Sequence, residues 1–130
     1  MAGNTDTLRE GYEAFGQGDI ETATSNWTDD FTWQGPEAEG LPGGGEHKGK
    51  EEALKVLQEA VGSWDQFELS ADEYFEDGDT VVVLGHQNVK KGDQSAELPV
   101  VHIWRFEGDK ACRLQLLTDT LQGARMQGIA

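Results

Sequence analysis

The chain has 130 residues, enough for one domain around one core. Twenty-five Asp and Glu against ten Lys and Arg give a formal charge of -15, which repels phosphate backbones and anionic lipid, so neither nucleic acid nor a membrane is an expected partner. No apolar run approaches the ~18 residues of a membrane span and the start, MAGNTDTLRE, carries no signal-like region, so the expected setting is the cytoplasm.

Leu8, Tyr12 and Phe15 fall at helical spacing and predict a first helix from about Thr5 to Gln17, with Thr5 or Asp6 as N-cap and Gly16 and Gly18 as the stop. Asp19 caps a second, shorter helix through about Trp27, with Ile20, Ala23 and Trp27 on one stripe. Phe31 to Gln34 alternates like a short strand. From Gly35 to Gly49 two prolines and the run Gly43, Gly44, Gly45 predict a loop, long enough to serve as a flap over a cavity mouth. A third helix follows from about Lys50 to Ser63, acidic at its start and apolar along Leu54, Leu57, Val61 and Trp64.

Strands are then predicted over Phe67 to Phe75, Thr80 to Lys90 and from Gln94 into a hairpin that turns at Glu107 to Lys110. The hairpin, Pro99 to Thr120, is apolar on both alternating faces and must be covered twice. Thr118, Asp119 and Thr120 cap a tail helix over Leu121 to Met126. Helices gathered at one end and strands at the other predict an α+β fold: a cone-shaped, curved antiparallel sheet wrapped around about three N-terminal helices, one domain over residues 1–130. A sheet curved in this way leaves a hollow fit for a ligand.

Taken in order, Tyr12 to Phe15 with Gly18-Asp19, Asp30 to Trp33, Gly49 to Ala53, Asp77 to Val83, His102 to Phe106 and Thr118 to Thr120 resemble the nuclear transport factor 2-like superfamily. The nearest type is the SnoaL-like proteins related to ketosteroid isomerase. The resemblance implies a cone with an interior pocket and a homodimer through the outer sheet face. It implies no single activity, because isomerases, cyclases, epoxide hydrolases, dehydratases and non-catalytic binders share the fold.

Carried over residue by residue, the resemblance places Gly35 where the steroid isomerases have a base, Val101 where they have an oxyanion-binding Asp, and Leu116 where the cyclases and hydrolases have a catalytic Asp. None of the three can move a proton. The isomerases' Tyr donor falls at Gly11, one residue from Tyr12, about 100° around the helix. Asp119, His102 and Tyr12 remain as candidates for proton transfer. For Asp119 the structural alternative is an N-cap. Alternation turns Val101 into the cone and His102 toward the outer face, an order that a bulge near the mouth would reverse. His86 is equally open, and His47 lies in the glycine-rich loop.

The expected pocket lining is Phe15, Trp33, Gly35 and Trp64 together with Leu84, Val101, Ile103, Leu114, Leu116 and Thr118. Trp104 and Phe106 are assigned to the outer face. The single cysteine, Cys112, lies in a strand and reads as a packing thiol; without histidines at ligand spacing, no metal and no cofactor are expected. Gly44 to Lys50 matches part of a phosphate-binding loop, but Glu51 stands where the magnesium-binding hydroxyl belongs. The leading expectation is a domain that binds a small, largely apolar metabolite, cyclic or carbonyl-containing. The alternatives are an isomerase, cyclase or hydratase using Asp119 and His102, and a non-catalytic dimerisation or sequestering module.

Overall fold

The computed structural model describes residues 3–129. Helix α1 (Asn4–Gly16) lays Leu8 and Tyr12 against the core as its spacing requires. Its N-cap is Gly3 rather than Thr5 or Asp6. Thr5 is occupied elsewhere: its backbone N–H and hydroxyl donate to Glu76 Oε1 at 2.8 and 2.7 Å, tying α1 to the sheet. Helix α2 (Ile20–Ala23) is capped by Asp19 as expected but ends four residues early. Trp27 belongs instead to strand β1 (Trp27–Gln34), where its ring stacks on Phe31 at 3.9 Å and both are buried. Burying two aromatic rings outweighs one more helical turn.

The predicted loop contains a short strand, β2 (Glu46–Lys48), which pairs with the end of β1. Helix α3 (Lys50–Gly62) follows, then β3 (Gln66–Asp77), β4 (Thr80–Lys91), β5 (Gln94–Glu107), β6 (Lys110–Thr118) and helix α4 (Thr120–Met126). Together the strands form one open six-stranded sheet in the order β2-β1-β6-β5-β4-β3. It is mixed rather than wholly antiparallel, since β1 runs parallel to β6. The chain between β1 and β6 holds a helix and three long strands, and so long a connection permits the parallel pairing that a tight turn forbids.

Curvature has a local cause. The β3/β4 register slips between Ala71 and Glu73, and Gly85 faces that bulge: a Cβ there would stand 2.0 Å from the Ser70 carbonyl oxygen. Only glycine admits so close an approach, and the bulge bends β3 and β4 over the helices.

The bent sheet's inner face carries two apolar clusters. One gathers Trp27, Phe31, Val81, Val83, Trp104, Phe106 and Leu114 under α1 and α3; the other joins Val89, Leu98 and Met126 with Trp64 and Phe67. Trp104 and Phe106 are thus core residues, not outer-face residues. On β5 the buried set is Leu98, Val100, His102, Trp104 and Phe106, while Val101 and Ile103 take the opposite face with Glu97, Arg105 and Glu107. The expected orientation of Val101 and His102 is therefore reversed. The opposite parity carries three charges, and the desolvation cost of burying them turns the five-residue set inward and sets the register.

Candidate functional site

Between the two clusters lies a cavity of about 150 Å³. Its walls are aromatic and aliphatic: all four tryptophans of the chain, Trp27, Trp33, Trp64 and Trp104, contribute to it, with Leu8, Leu57 and Val61 from the helices and Leu98, Val100, Leu114 and Leu116 from the sheet. The segment 35–45 closes over it through Pro36, Leu41, Pro42 and Gly43, as the flap reading expected. That segment is held down. The Trp33 indole N–H donates to the Gly43 carbonyl at 2.8 Å, and the Gly35 N–H donates to the Gly45 carbonyl at 2.8 Å. Gly43 has φ +86°, and a Cβ on it would lie 2.9 Å from the Ala60 methyl, so the flap backbone rests directly on α3.

Gly35 is explained by the same packing. A Cβ there would stand 1.8 Å from the Gly43 carbonyl oxygen, so this residue is where two backbones meet, and it does not line the cavity. Of the other expected lining residues, Phe15, Trp33, Trp64, Leu114, Leu116 and Thr118 do line it. Leu84, Val101 and Ile103 do not: they form cross-strand neighbours on the outer face, Leu84 beside Val101 and Val82 beside Ile103. Strand alternation leaves them no other choice once Val83, His102 and Trp104 point inward.

The polar content of the cavity is concentrated in one chain of hydrogen bonds. Tyr12 on α1 and His102 on β5 meet with Oη 2.6 Å from Nδ1, and the Trp104 indole N–H donates to the same Tyr12 oxygen at 2.9 Å. The rings of Tyr12 and His102 lie nearly parallel at 15°, while Trp104 stands edge-on to Tyr12 at 89°. Helix α1 needs no rotation to deliver Tyr12; its apolar stripe already places that residue there.

Burial keeps this group uncharged. It drives the His102 pKa from an ordinary 6.5 down to about 4, so the ring is neutral near pH 7. Burial likewise pushes the Tyr12 phenol well above its usual range, against a smaller opposing effect of the Trp104 hydrogen bond. With phenol and imidazole both neutral, one arrangement of the bonds leaves the fewest buried polar atoms unpaired. The Trp104 N–H can only donate, so Tyr12 Oη accepts from it, and the remaining Tyr12 proton goes to His102 Nδ1. His102 then carries its own proton on Nε2.

Asp119 sits at the rim of the cavity, with its carboxylate engaged by the Gln122 backbone N–H at 3.0 Å as the N-cap of α4. His86 is on the outer face, its Nδ1 2.8 Å from Asp72 Oδ2 and its Nε2 3.5 Å from Glu97 Oε1. His47 Nε2 is 2.9 Å from the Gly44 carbonyl oxygen, which anchors the flap. Among the described residues, no group of His, Cys, Asp and Glu is arranged to hold a metal ion, and no helix is long and apolar enough to cross a membrane.

Five polar residues of the lining, Thr7, Thr24, Asn26, Gln87 and Gln127, have no counterpart among the sequence candidates. Gln87 sits on β4, whose inward parity is only evident once the β3/β4 bulge is placed, and the others come from helices and their ends or, for Asn26, the turn before β1. Trp104 was visible as an aromatic residue, but its polar role was hidden by the reversed parity of β5. A usable signal did exist in Glu97, Arg105 and Glu107, three charges sharing the parity of Val101.

A curved sheet closed by helices over an apolar hollow defines a cone-shaped α+β domain. The SnoaL-like domain model matches residues 8–114, and the chain belongs to that family. Among solved structures it is similar to TerC co-crystallised with polyporic acid, at 29% identity and TM-score 0.87 over 96% of this chain and 98% of that one. It is also similar to an NTF2-like protein of unknown function from Burkholderia pseudomallei, at 32% identity and TM-score 0.86 over 97% and 98% of the two chains. A putative hydroxylase, AclR from Streptomyces galilaeus, shares the fold at 12% identity and TM-score 0.75, covering 98% and 96%. No curated protein sequence matches.

Proposed function

We propose that this protein binds a small, largely apolar, ring-containing molecule inside the cone. The cavity carries this reading. Its volume of about 150 Å³ is of the size at which an apolar cavity accepts a benzene-like ring, and four indoles surround it. TerC, of the same fold and 29% identical, was co-crystallised with polyporic acid, which supports a small-molecule role for the fold. Proton transfer by Asp119 with His102 and Tyr12 has less support. The Asp119 carboxylate is engaged as a helix cap, and neither a histidine of pKa about 4 nor a phenol held neutral by burial is a competent base near pH 7.

The tryptophans supply the test. Iodobenzene, a single ring whose heavy atom quenches indole on contact, is expected to quench their fluorescence to saturation, and Val100→Trp, which fills the cavity from β5, is expected to abolish saturation while the protein stays folded by circular dichroism. Linear, non-saturating quenching of the wild-type protein would reject the reading.

We further propose a homodimer through the outer sheet face. There Phe75, Val82 and Ile103 form one cross-strand row and Leu84, Val101 and Leu117 a second, and Phe75 and Leu117 remain 54% and 45% exposed. A second copy of the same apolar patch is its simplest complement.

A further inference from the structure

The Tyr12, His102 and Trp104 chain has one free end. Trp104 donates to Tyr12 and Tyr12 donates to His102 Nδ1, which leaves the His102 Nε2–H as the terminal donor. It has no protein partner among the described residues. Nor is it walled in: the sealed, unpartnered side-chain polar atoms are Asn26 Nδ2 and Thr28 Oγ1. His102 is only 5% exposed and lines the cavity, so the access that Nε2 retains is access to the cavity. A donor N–H left facing an apolar hollow is costly unless something accepts from it.

We propose that His102 Nε2–H is a ligand-recognition donor, and that the molecule held in the cone presents an uncharged carbonyl oxygen to it. This deepens the proposed small-molecule binding and rests on it. Three observations select a neutral acceptor over an anion. No Lys or Arg lines the cavity, Asp119 stands at its rim, and the whole chain carries -15. A carboxylate or phosphate entering this space would lose its hydration without gaining a cation. Among neutral oxygens a carbonyl is the strong acceptor.

The donor also stands well apart from the inward-facing amide of the neighbouring strand. Gln87, the other amide facing the cavity on the central strands, lies four residues along β4 from Val83, the cross-strand neighbour of His102, and so roughly 13 Å away. The carbonyl therefore docks at the Tyr12 end of the cavity, and the apolar body of the ligand extends toward Trp64 and Leu98.

Acetophenone and ethylbenzene, which share the ring and the two-carbon chain and differ in the carbonyl oxygen, are the probes. Both affinities are measured by calorimetry for wild type and His102→Phe. The ratio of acetophenone to ethylbenzene affinity is expected to fall by about threefold to tenfold in His102→Phe, the effect of one neutral hydrogen bond. An unchanged ratio, with both compounds still bound, would overturn the donor role while leaving the binding cavity intact. If neither compound binds the wild-type protein, the underlying binding reading fails, and this proposal with it. Should His102→Phe not fold, the 15N spectrum of the wild-type imidazole decides the matter: a proton on Nε2 that shifts with acetophenone but not with ethylbenzene supports the proposal, and a proton on Nδ1 refutes it.

Discussion

Replacing His102 by Gln removes the one titrating group of the buried chain and keeps a polar side chain beside Tyr12. In the folded protein the His102 pKa is about 4, against 6.5 for an unburied imidazole. Between those values the unfolded chain binds a proton that the native chain refuses, so stability rises with pH across this window. The contribution is fully present above about pH 6.5 and is lost as pH falls toward 4. At about 1.4 kcal/mol for each pH unit, the whole effect is about 3 kcal/mol. Urea unfolding, followed by tryptophan fluorescence at intervals from pH 4 to pH 8, gives the stability of wild type and His102→Gln. The carboxylates common to both, including Asp19 and Glu76 with their lowered pKa values, cancel in the difference. Wild type is expected to lose about 3 kcal/mol relative to the variant between pH 7 and pH 4. Two curves running parallel over that range would show that His102 is not held neutral by burial.

Tyr12→Phe is expected to cost about 2 to 3 kcal/mol by urea midpoint, because it leaves the Trp104 N–H and His102 Nδ1 buried without their shared partner; a cost below ~0.5 kcal/mol would mean that water replaces the hydroxyl. Gly85→Ala, whose Cβ would stand 2.0 Å from a backbone oxygen, is expected to destabilise by at least ~2 kcal/mol. Gly62→Ala at the end of α3, where a Cβ meets nothing within 4 Å, is expected to gain up to ~1 kcal/mol, and thermal unfolding of the pair reads the contrast directly. Phe75→Glu on the outer face is expected to convert a dimer to a monomer in sedimentation at micromolar concentration; a wild-type monomer would count against the association itself.

Much of the architecture follows from local patterns that any fold must respect. The 3.6-residue spacing of Leu8, Tyr12 and Phe15, the turns at Asp77 to Asp79 and Lys91 to Asp93, and the Asp19 and Asp119 caps are each decided by neighbours in sequence, and the structure carries all of them. Period-two alternation also places apolar residues on both faces of the last two strands. What alternation cannot supply is its phase. Val101 and His102 are both plausible inward residues, and the choice between them is made by charges at Glu97, Arg105 and Glu107 and by bulges that shift the pairing. That phase is a property of the whole sheet, because one slipped residue turns over every side chain beyond it. The same holds for Gly35, whose contact with the flap backbone just beyond β1 no local pattern shows. The buried chain of Tyr12, His102 and Trp104 unites residues 90 and 92 positions apart, and only tertiary packing could reveal which nitrogen of the imidazole is left for a ligand.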